Sequence, residues 1–416
     1  MPANDDRLTD MSTEPGTVSL ADIEVARKLL REVSRVTPME GSLALSERVG
    51  GPVMLKCENL QRAGSFKIRG AYVRLSRLSE AELAMGVVAA SAGNHAQGVA
   101  LAARLLGVKS TVFMPVGAPL PKVAATTGYG ADVRFHGSTI DETLIAAQDY
   151  AESTGAVFIH PFDHPDIIAG QGTVGLEIME QCPDVRTIVV PTGGGGLLAG
   201  VAVAAKSIRP DVRVVGVQAE KAAAYPGSLA AGHPVALHSM STMADGIAVG
   251  CPGGVPFELI RNQVDDVVTA SEEALSRGLL YCMERAKMVV EPAGGAGVAA
   301  LLEEPHAFEP PVVVVLTGGN VDPLLLLRVL RHGLAAAGRF LSFRLRIPDR
   351  PGALATLLSE LAAADANVLE IEHLRTTPRL HLDEVEVAIQ IETRGPRHCD
   401  DVLARLRAAG YTLLFS

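Results

Sequence analysis

The 416-residue chain contains no tryptophan, and aromatic residues make up only 4% of it. Its 37 lysines and arginines are outnumbered by 47 aspartates and glutamates, which gives a formal net charge of −10 at pH 7. An acidic chain that is poor in aromatic side chains lacks the phosphate contacts and the stacking surfaces on which nucleic-acid binding depends. We therefore predict that nucleic acid is not a main partner.

Cysteine is also scarce, with five scattered residues and no C-x-x-C spacing, which fits neither a disulfide framework nor a zinc site. Long apolar runs are missing, since none approaches the roughly 18 residues of a membrane span, and the acidic N-terminus does not resemble a signal peptide. We expect a cytoplasmic protein without a membrane anchor. His160-Pro161-Phe162-Asp163-His164 contains possible metal ligands, but Pro161 and the following Pro165 indicate a loop, and no metal site is predicted.

The composition suits two or three globular domains, because hydrophobic residues make up 48% of the chain. Residues 1–18, rich in Asp, Thr, Pro and Gly, are predicted to be a disordered tail. Residues 19–335 contain apolar strands followed by apolar helices, a pattern that is typical of an α/β domain. The pattern changes after residue 335, and residues 339–416 are predicted to form a separate domain.

One lysine lies in an unusual setting, within Ser65-Phe66-Lys67-Ile68-Arg69-Gly70-Ala71. It follows a Gly-Ser turn and precedes a helix start made of small residues. From the first helical turn, the Lys67 side chain would project inward, where burial lowers the pKa of its amine and allows attack on a carbonyl. This is what a Schiff-base lysine requires, although a solvated lysine at a helix N-terminus fits this segment equally well.

Two turns between a buried strand and a helix are predicted to bind anions. In residues 91–98, which precede an apolar helix predicted for residues 99–106, backbone N–H groups and the positive end of the helix suit a carboxylate or phosphate, and Ser91 and Asn94 add side-chain hydrogen bonds. In residues 193–197, four consecutive glycines allow an anion to approach the backbone closely. An ordinary turn capped by Asn94 and a merely flexible glycine loop are the structural alternatives. The ending of a nucleotide P-loop is missing, so a triphosphate is not predicted.

Two further segments carry weaker signals. Thr317 ends the apolar strand of residues 312–316, at the sheet edge where α/β proteins bind ligands, and its neutral hydroxyl could face a ring nitrogen, although a simple strand-end turn fits as well. Residues 295–300 match the dinucleotide pattern G-x-G-x-x-A, but no strand directly precedes them and no acidic residue follows the next strand. We interpret them as a site of close helix packing.

Together and in this order, the Lys67 segment, Ser-Ala-Gly-Asn-His at residues 91–95, the glycine run and Thr-Gly-Gly-Asn at residues 317–320 resemble the threonine ammonia-lyases. These belong to the tryptophan-synthase-β-like pyridoxal phosphate enzymes. The resemblance covers about residues 20–330 and implies an α/β fold of type II, with two open-sheet subdomains of which the smaller spans about residues 53–155. Residues 168–173 and 243–248 are also similar to family segments, without a role that the sequence reveals.

The resemblance also implies the roles of individual residues. Lys67, beside Phe66, carries pyridoxal 5'-phosphate through a Schiff base, and Asn94 bonds the ring oxygen. Thr317, where the family often has serine, faces the pyridine nitrogen. The phosphate is expected at Gly193, Gly194, Gly195, Gly196 and Leu197. The substrate carboxylate is expected at Ser91, Ala92, Gly93, Asn94 and His95, where His95 supports the loop rather than acting as a base.

The C-terminal residues predict the order βαββαβ, a ferredoxin-like fold in which strand 384–392 alternates apolar and charged side chains. With Asp349, Gly352 and Ala353 at the first strand-to-helix turn and Asn367 before the second strand, this region resembles an ACT domain, a regulatory module that binds amino acids. These four residues are the candidate effector site, and an amino acid such as isoleucine is the candidate effector, whose identity the sequence does not determine. A dimerisation module without a ligand is the alternative, because a fold alone does not establish a function. Longer family members have a doubled regulatory region, whereas this chain has room for one unit, which leaves the effector open.

The resemblance implies that the protein converts L-threonine to 2-oxobutanoate and ammonia, and secondarily L-serine to pyruvate, as the first step of isoleucine biosynthesis. A homodimer or homotetramer is expected, because ACT-like units pair through their sheet edges. Three alternatives remain open: a serine racemase or another pyridoxal phosphate enzyme of β-replacement, a nicotinamide dehydrogenase, and a non-catalytic amino-acid sensor. Ile68 argues mildly against a cysteine synthase, since many of these have an acidic residue there.

Overall fold

The computed structural model describes residues 17–375 and 380–414. The chain divides into two compact units, Met1–Pro323 and Leu324–Ser416, so the division lies earlier than the predicted boundary at residues 335–339. Most of the predicted N-terminal tail lies outside the described residues, but Val18 is buried in the core, so the prediction of a tail is wrong at residue 18. In the described part of the chain, no helix is long and apolar enough to cross a membrane.

The first unit alternates strands and helices, as the sequence predicts. Its helices are α1 (Leu20–Leu30), α2 (Leu43–Val49), α3 (Lys67–Ser76), α4 (Glu80–Met85), α5 (Asn94–Leu106), α6 (Leu120–Gly128), α7 (Ile140–Thr154), α8 (Pro165–Gln181), α9 (Gly196–Ile208), α10 (Ala224–Ala231), α11 (Gly254–Gln263), α12 (Glu272–Glu284) and α13 (Ala296–Glu303). Its strands are β1 (Met39–Gly41), β2 (Val53–Lys56), β3 (Val87–Ala90), β4 (Ser110–Met114), β5 (Asp132–Phe135), β6 (Val157–Phe158), β7 (Thr187–Pro191), β8 (Arg213–Ala219), β9 (Asp266–Ala270) and β10 (Val312–Val315).

These strands form two open sheets. The larger sheet has the order β1-β2-β10-β7-β8-β9 and is parallel except for β1, while the smaller sheet, β5-β4-β3-β6, is parallel throughout. Strand β10 is buried on both faces, because helices cover the sheet on both sides. The predicted smaller subdomain of residues 53–155 needs correction at both ends, since β2 belongs to the larger sheet and β6 reaches Phe158.

Close helix packing fixes the position of α3 within the first unit. A Cβ atom on Gly170 of α8 would lie 2.6 Å from the Cα atom of Gly70 of α3, so only glycine permits this approach. Residues 168–173, which had no role at the sequence level, therefore provide the surface against which α3 packs. The prediction of close packing at residues 295–300 is confirmed, since a Cβ atom on Gly297 would lie 2.6 Å from Val314 Cγ1 of β10.

The second unit contains α14 (Pro323–Ala336, which begins at the last residue of the first unit), β11 (Phe340–Pro348), α15 (Ala353–Ala363), β12 (Asn367–Leu374), β13 (Glu384–Glu392), α16 (Pro396–Ala408) and β14 (Leu413–Leu414). The predicted order βαββαβ is confirmed from β11 onward. The sheet is antiparallel with the order β12-β13-β11-β14, and α15 and α16 pack on it. The alternation predicted for β13 places Val385, Val387, Ile389 and Ile391 in the core of this unit.

Candidate active site

Lys67 is the first residue of α3, and its amine is held by a hydrogen bond to a backbone carbonyl. Its Nζ donates a hydrogen bond to Pro161 O at 2.9 Å and lies 5.2 Å from the centre of the Phe66 ring. The side chain is half-buried. Desolvation lowers the pKa of the amine to about 8, against the weaker opposing attraction of Glu291. A substantial fraction of this amine is therefore neutral near physiological pH, as a Schiff-base lysine requires.

Thr317 lies beside the Lys67 segment because the two segments are hydrogen-bonded to each other. Phe66 N donates to Thr317 O at 3.3 Å, Ser65 and Gly318 form an antiparallel bridge, and Gly319 N donates to Gly64 O at 2.9 Å. The Thr317 side chain is buried. The structure thus places Thr317 next to the segment that contains Lys67.

Asn94 is held by hydrogen bonds at both ends of its amide. Its Nδ2 donates to Glu291 Oε1, and its Oδ1 accepts from Asn320 Nδ2 at 2.9 Å. Helix α5 begins at Asn94, earlier than the predicted residue 99, with Gly93 as its N-cap, so the interpretation of Asn94 as a plain cap is wrong. The second hydrogen of Nδ2 remains available to a ligand, since an amide nitrogen carries two.

The sequence analysis missed Glu291, a buried carboxyl group that is 2% exposed. Burial is the main cause that raises its pKa to about 7; Asp245 raises it further, while Lys122, the Asn94 hydrogen bond and Lys67 act in the opposite direction. The sequence does contain a signal for this residue. A single glutamate stands between apolar Val290 and a Pro-Ala-Gly-Gly stretch, and an acidic residue in such an apolar segment indicates a buried carboxyl group rather than a solvated one.

The glycine run follows β7 and leads into α9, at the same sheet edge as Thr317, because β7 and β10 are parallel neighbours. Gly195 has φ +97°, and a Cβ atom there would lie 2.0 Å from Tyr225 Oη, so this position requires glycine. The Phe162 ring fills the space beside Gly194. No side chain caps α9, so the N–H groups of its first turn, including that of Leu197, point into the turn without an intrahelical partner.

Ser91, Ala92 and Gly93 form the turn between β3 and α5. Gly93 N donates to Ser91 Oγ at 3.1 Å, so this N–H group has a partner within the turn. His95 is buried, and its Nε2 donates to Ile159 O at 2.8 Å. Desolvation, together with the charge of Lys67, lowers the pKa of His95 to about 3, so the ring is neutral. This agrees with loop support rather than with the role of a base.

The loop of residues 160–164 connects the lysine to the glycine run. Its Pro161 carbonyl receives the Lys67 hydrogen bond, and the Phe162 ring packs on Gly194. His160 Nδ1 accepts from Asp163 N at 2.8 Å, so a possible metal ligand is used to shape the loop. The sequence analysis interpreted the segment as a loop without recognising this role, because a backbone carbonyl leaves no signature in a sequence.

Two charged residues near the turn of Ser91 to Gly93 were also missed. Lys122 Nζ of α6 donates to Asp245 Oδ2 at 2.6 Å. The lysine side chain is buried, whereas that of Asp245 is half exposed. Asp245 lies within residues 243–248, which resemble a family segment but have no role that the sequence reveals, and Lys122 lies in none of the motifs that the sequence analysis identified.

The predicted effector residues lie in the second unit and do not meet within one chain. Asp349 follows β11 and pairs with Arg375, with Nε 3.1 Å from Oδ2, and Gly352 and Ala353 begin α15 nearby. Asn367 pairs with Glu392 of β13, at 3.3 Å. The strand register places Glu392 opposite Phe340, whereas Asp349 follows Pro348, so Asn367 lies at the opposite end of the sheet.

The residues of the first unit fit pyridoxal phosphate. A lysine amine of lowered pKa suits the aldehyde, the uncapped N-terminus of α9 suits the phosphate, and the amide of Asn94 and the hydroxyl of Thr317 suit the ring oxygen and nitrogen. Ser65 Oγ, fully buried next to Phe66, has no hydrogen-bond partner among the described residues. An unsatisfied buried hydroxyl at this position is consistent with a polar group that completes the site.

Comparisons with known proteins agree with this assignment. Residues 30–318 match the model of the family described as pyridoxal-phosphate dependent enzyme. L-threonine ammonia-lyase from Thermotoga maritima is 45% identical over 394 residues, which cover 95% of this chain and 98% of that protein. The crystal structure of a threonine deaminase from T.th. has a TM-score of 0.70 and 40% identity over 73% of this chain and 99% of its own.

Maize serine racemase is also similar, with a TM-score of 0.72 and 35% identity over 76% of this chain and 98% of its own. Its likeness is confined to about three quarters of this chain, whereas the Thermotoga maritima protein matches nearly all of it. The family match and the site geometry agree on the cofactor, and the Thermotoga maritima relative agrees with the resemblance seen in the motifs. The chain therefore belongs to the pyridoxal-phosphate dependent enzyme family and, within it, to the L-threonine ammonia-lyases.

Proposed function

We propose that the protein converts L-threonine to 2-oxobutanoate and ammonia, and L-serine to pyruvate and ammonia. The observation that carries this proposal is the Lys67 amine, which has a pKa of about 8 and lies at the start of α3 between Thr317 and the loop that packs on the glycine run. A lysine with this pKa can both carry the cofactor and exchange protons with the substrate.

Each site residue has a defined task in this reaction. When bound, pyridoxal phosphate supplies an electron sink for the electrons of the substrate Cα–H bond. The turn of Ser91 to His95 orients the substrate carboxylate, and the neutral Lys67 amine removes the Cα proton. Lys67, now protonated, returns a proton as the Cβ–O bond breaks and water leaves. The enamine product takes up water and yields the 2-oxo acid and ammonia, so all atoms balance.

The test is the rate of 2-oxobutanoate formation from L-threonine by the cofactor-loaded protein, with D-serine measured in parallel from L-serine. We expect ammonia and 2-oxo acid in equal amounts and little D-serine. Lys67→Ala should lower kcat by at least about 10³-fold, because it removes the carrier of the cofactor and the base together. Predominant D-serine formation would instead indicate a racemase, and full activity of the Lys67→Ala protein would contradict the assigned role.

Control by an amino acid is part of the same proposal. We propose that isoleucine binds the second unit near Asp349, Gly352 and Ala353, where the glycine, with φ +89°, is the N-cap residue of α15 and no side chain caps the helix. Asn367 belongs to this site only if another copy of the chain supplies it, since it lies at the far end of its own sheet. This arrangement favours the predicted homodimer or homotetramer. A role in isoleucine biosynthesis follows if isoleucine inhibits turnover.

The cytoplasm is the proposed location. All five cysteines are free, and Cys57, Cys182 and Cys282 are buried thiols. Burial raises the pKa of each of these three thiols, to about 12 for Cys57 and Cys282 and to about 11 for Cys182, so they carry little thiolate. Unpaired cysteines are typical of proteins that work in a reducing compartment.

A further inference from the structure

An ion pair connects the smaller sheet and its helices to the larger subdomain, beside the turn that precedes α5. Lys122 is on α6, next to the smaller sheet, and Asp245 begins a short 3-10 helix, Asp245–Ile247, in the larger subdomain. Their side chains meet at 2.6 Å, and Lys122 is only 7% exposed. Burying an ammonium group costs free energy unless a negatively charged partner compensates for the lost hydration. A buried lysine at this position therefore indicates that a positive charge is needed there.

The ammonium of Lys122 lies against the turn at which the substrate carboxylate is expected. A Cβ atom placed on Gly93 would be 3.9 Å from Lys122 Nζ and 3.9 Å from Ser91 Oγ. Glycine at this position therefore leaves room for a small group between the ammonium and the serine hydroxyl. Because Gly93 N already donates to Ser91 Oγ, the turn has one N–H group fewer for a carboxylate, and a further cation would compensate for it.

The carboxyl groups around Lys122 also favour a cation at this position. Asp245 and Glu291 are both close enough to interact electrostatically, since Asp245 raises the pKa of Glu291 and Lys122 lowers it. A substrate carboxylate would add a third negative group to this region. Lys67 cannot compensate the negative charge of the substrate carboxylate throughout the reaction, because the lysine amine has to be neutral before it accepts a proton. Lys122 is the remaining cation that faces Glu291 in the described structure.

We propose that Lys122 is a further substrate-binding residue, whose ammonium binds the α-carboxylate at the turn of Ser91 to Gly93, and that Asp245 is the positioning residue that holds it there. The inference rests on the proposed function and extends it. The Lys122 ammonium has three N–H donors, so it can keep its hydrogen bond to Asp245 while another donor binds the substrate carboxylate. Residues 243–248, which had no role at the sequence level, thereby gain one.

The test compares Lys122→Met with the wild type in L-threonine turnover. We expect kcat/KM to fall at least about 30-fold, chiefly through KM, because a charged partner of the substrate is lost. Lys206→Met is the matched control, since Lys206 also pairs with an aspartate, Asp265, at 2.9 Å, but outside the candidate site. The control should keep the wild-type KM, and both variants should bind pyridoxal phosphate with wild-type absorbance and affinity.

A pair of inhibitors separates carboxylate recognition from a structural effect. 3-Hydroxybutyrate has the carboxylate and the β-hydroxyl of threonine but no amine, and 3-hydroxybutyramide differs only in having a neutral amide. The wild type should bind the carboxylate more tightly than the amide, and Lys122→Met should abolish this preference. Asp245→Asn should raise KM by a smaller factor, and adding it to Lys122→Met should have little further effect.

Three results would overturn the inference: a wild-type KM in Lys122→Met, an equal loss of affinity for both inhibitors, or a wild type that does not prefer the carboxylate. If Lys122→Met does not bind the cofactor, Lys122→Gln and the charge-conserving Lys122→Arg replace it. Of these, only Lys122→Arg should retain the preference, and equal behaviour of the two would also overturn the inference. Failure of the proposed function is recognised separately, because the wild type itself would then not turn over threonine.

Discussion

At the scale of single residues, burial favours the neutral form of both the Lys67 amine and the Glu291 carboxyl group. It lowers the pKa of the Lys67 amine to about 8 and raises the pKa of the Glu291 carboxyl to about 7. A lysine that must accept a proton benefits directly from this shift. For Glu291, the same burial has a cost, because its ionised form is less stable in the folded protein than in water.

The cost at Glu291 predicts how stability depends on pH. The pKa of Glu291 is raised from its ordinary 4.5, so the folded state retains a proton that the unfolded state has lost between pH 4.5 and about 7. Stability from this group is complete below pH 4.5 and is lost as pH rises to 7, by about 3 kcal/mol. In Glu291→Gln, this loss should be missing.

Thermal unfolding of cofactor-free protein at pH 5 and pH 8 measures the effect. The difference in unfolding temperature between the Glu291→Gln protein and the wild type should shift in favour of the variant when the pH is raised from 5 to 8. The exposed Glu309→Gln, whose side chain is 69% accessible, is the control and should show no such shift. An identical pH dependence of wild type and Glu291→Gln would mean that Glu291 titrates normally.

At the scale of elements, the position of α3 depends on a buried ionic network. Arg69, two residues after Lys67, pairs with Glu58 at 2.8 Å and with Glu177 at 2.7 Å, and Lys56 also pairs with Glu177. All four side chains are buried. Removing one partner from such a network leaves charges unpaired in a medium that solvates them poorly.

Arg69→Met should therefore destabilise the protein by roughly 3–5 kcal/mol, because Glu58 and Glu177 lose their partner. Arg27→Met provides the comparison, since Arg27 pairs with Glu180 at the surface, where such a pair contributes about 0–1 kcal/mol. Differential scanning calorimetry measures both variants. Equal shifts of the unfolding midpoint would show that the buried network does not hold α3.

The glycine run gives a second prediction at this scale. Gly195→Ala places a methyl group 2.0 Å from Tyr225 Oη at a φ of +97°, so the turn before α9 has to move. Affinity for pyridoxal phosphate should fall roughly tenfold or more. Gly227→Ala, in α10 with open space around it, should leave the affinity unchanged. Titration of the cofactor by absorbance distinguishes the two, and an unchanged Gly195→Ala protein would exclude the turn as a cofactor contact.

Sequence patterns predicted the elements of this protein better than the contacts between them. Strand β13 and the glycine run are visible in the sequence, because alternation and repeated glycine reflect one element's own geometry. The start of α5 was placed too late, since the apolar pattern begins after the polar turn that the helix includes. Glu291, Pro161 and the pair of Lys122 and Asp245 were missed, because their roles come from neighbours distant in the chain.

At the scale of the whole molecule, the chain couples a catalytic unit to a second unit with its own core. The similarity to the Thermotoga maritima enzyme covers 95% of this chain and therefore includes both units. The threonine deaminase structure covers 73% of this chain and 99% of its own. We propose a regulatory rather than a catalytic role for the second unit, since nearly the whole of that threonine deaminase chain is matched by about three quarters of this one.

This division predicts a separation of activity from control. Asp349 and Asp365 both pair with an arginine in the second unit, Arg375 at 3.1 Å and Arg394 at 3.0 Å, but only Asp349 lies beside the start of α15. If isoleucine binds there, Asp349→Ala should weaken inhibition by isoleucine about tenfold or more, since a charged contact to the ligand amine contributes about 1.5–3 kcal/mol. Its turnover without isoleucine should match the wild type, because the reacting groups all lie in the first unit.

Titrating isoleucine into threonine turnover by wild type, Asp349→Ala and Asp365→Ala measures this separation. Asp365→Ala should keep the wild-type response, because it loses an equivalent ion pair away from the α15 start. If both variants respond as the wild type does, isoleucine binds elsewhere or Asp349 does not contact it. If the wild type itself does not respond, the same titration repeated with other amino acids identifies the effector chemistry, and Asp349→Ala should then lose that response instead.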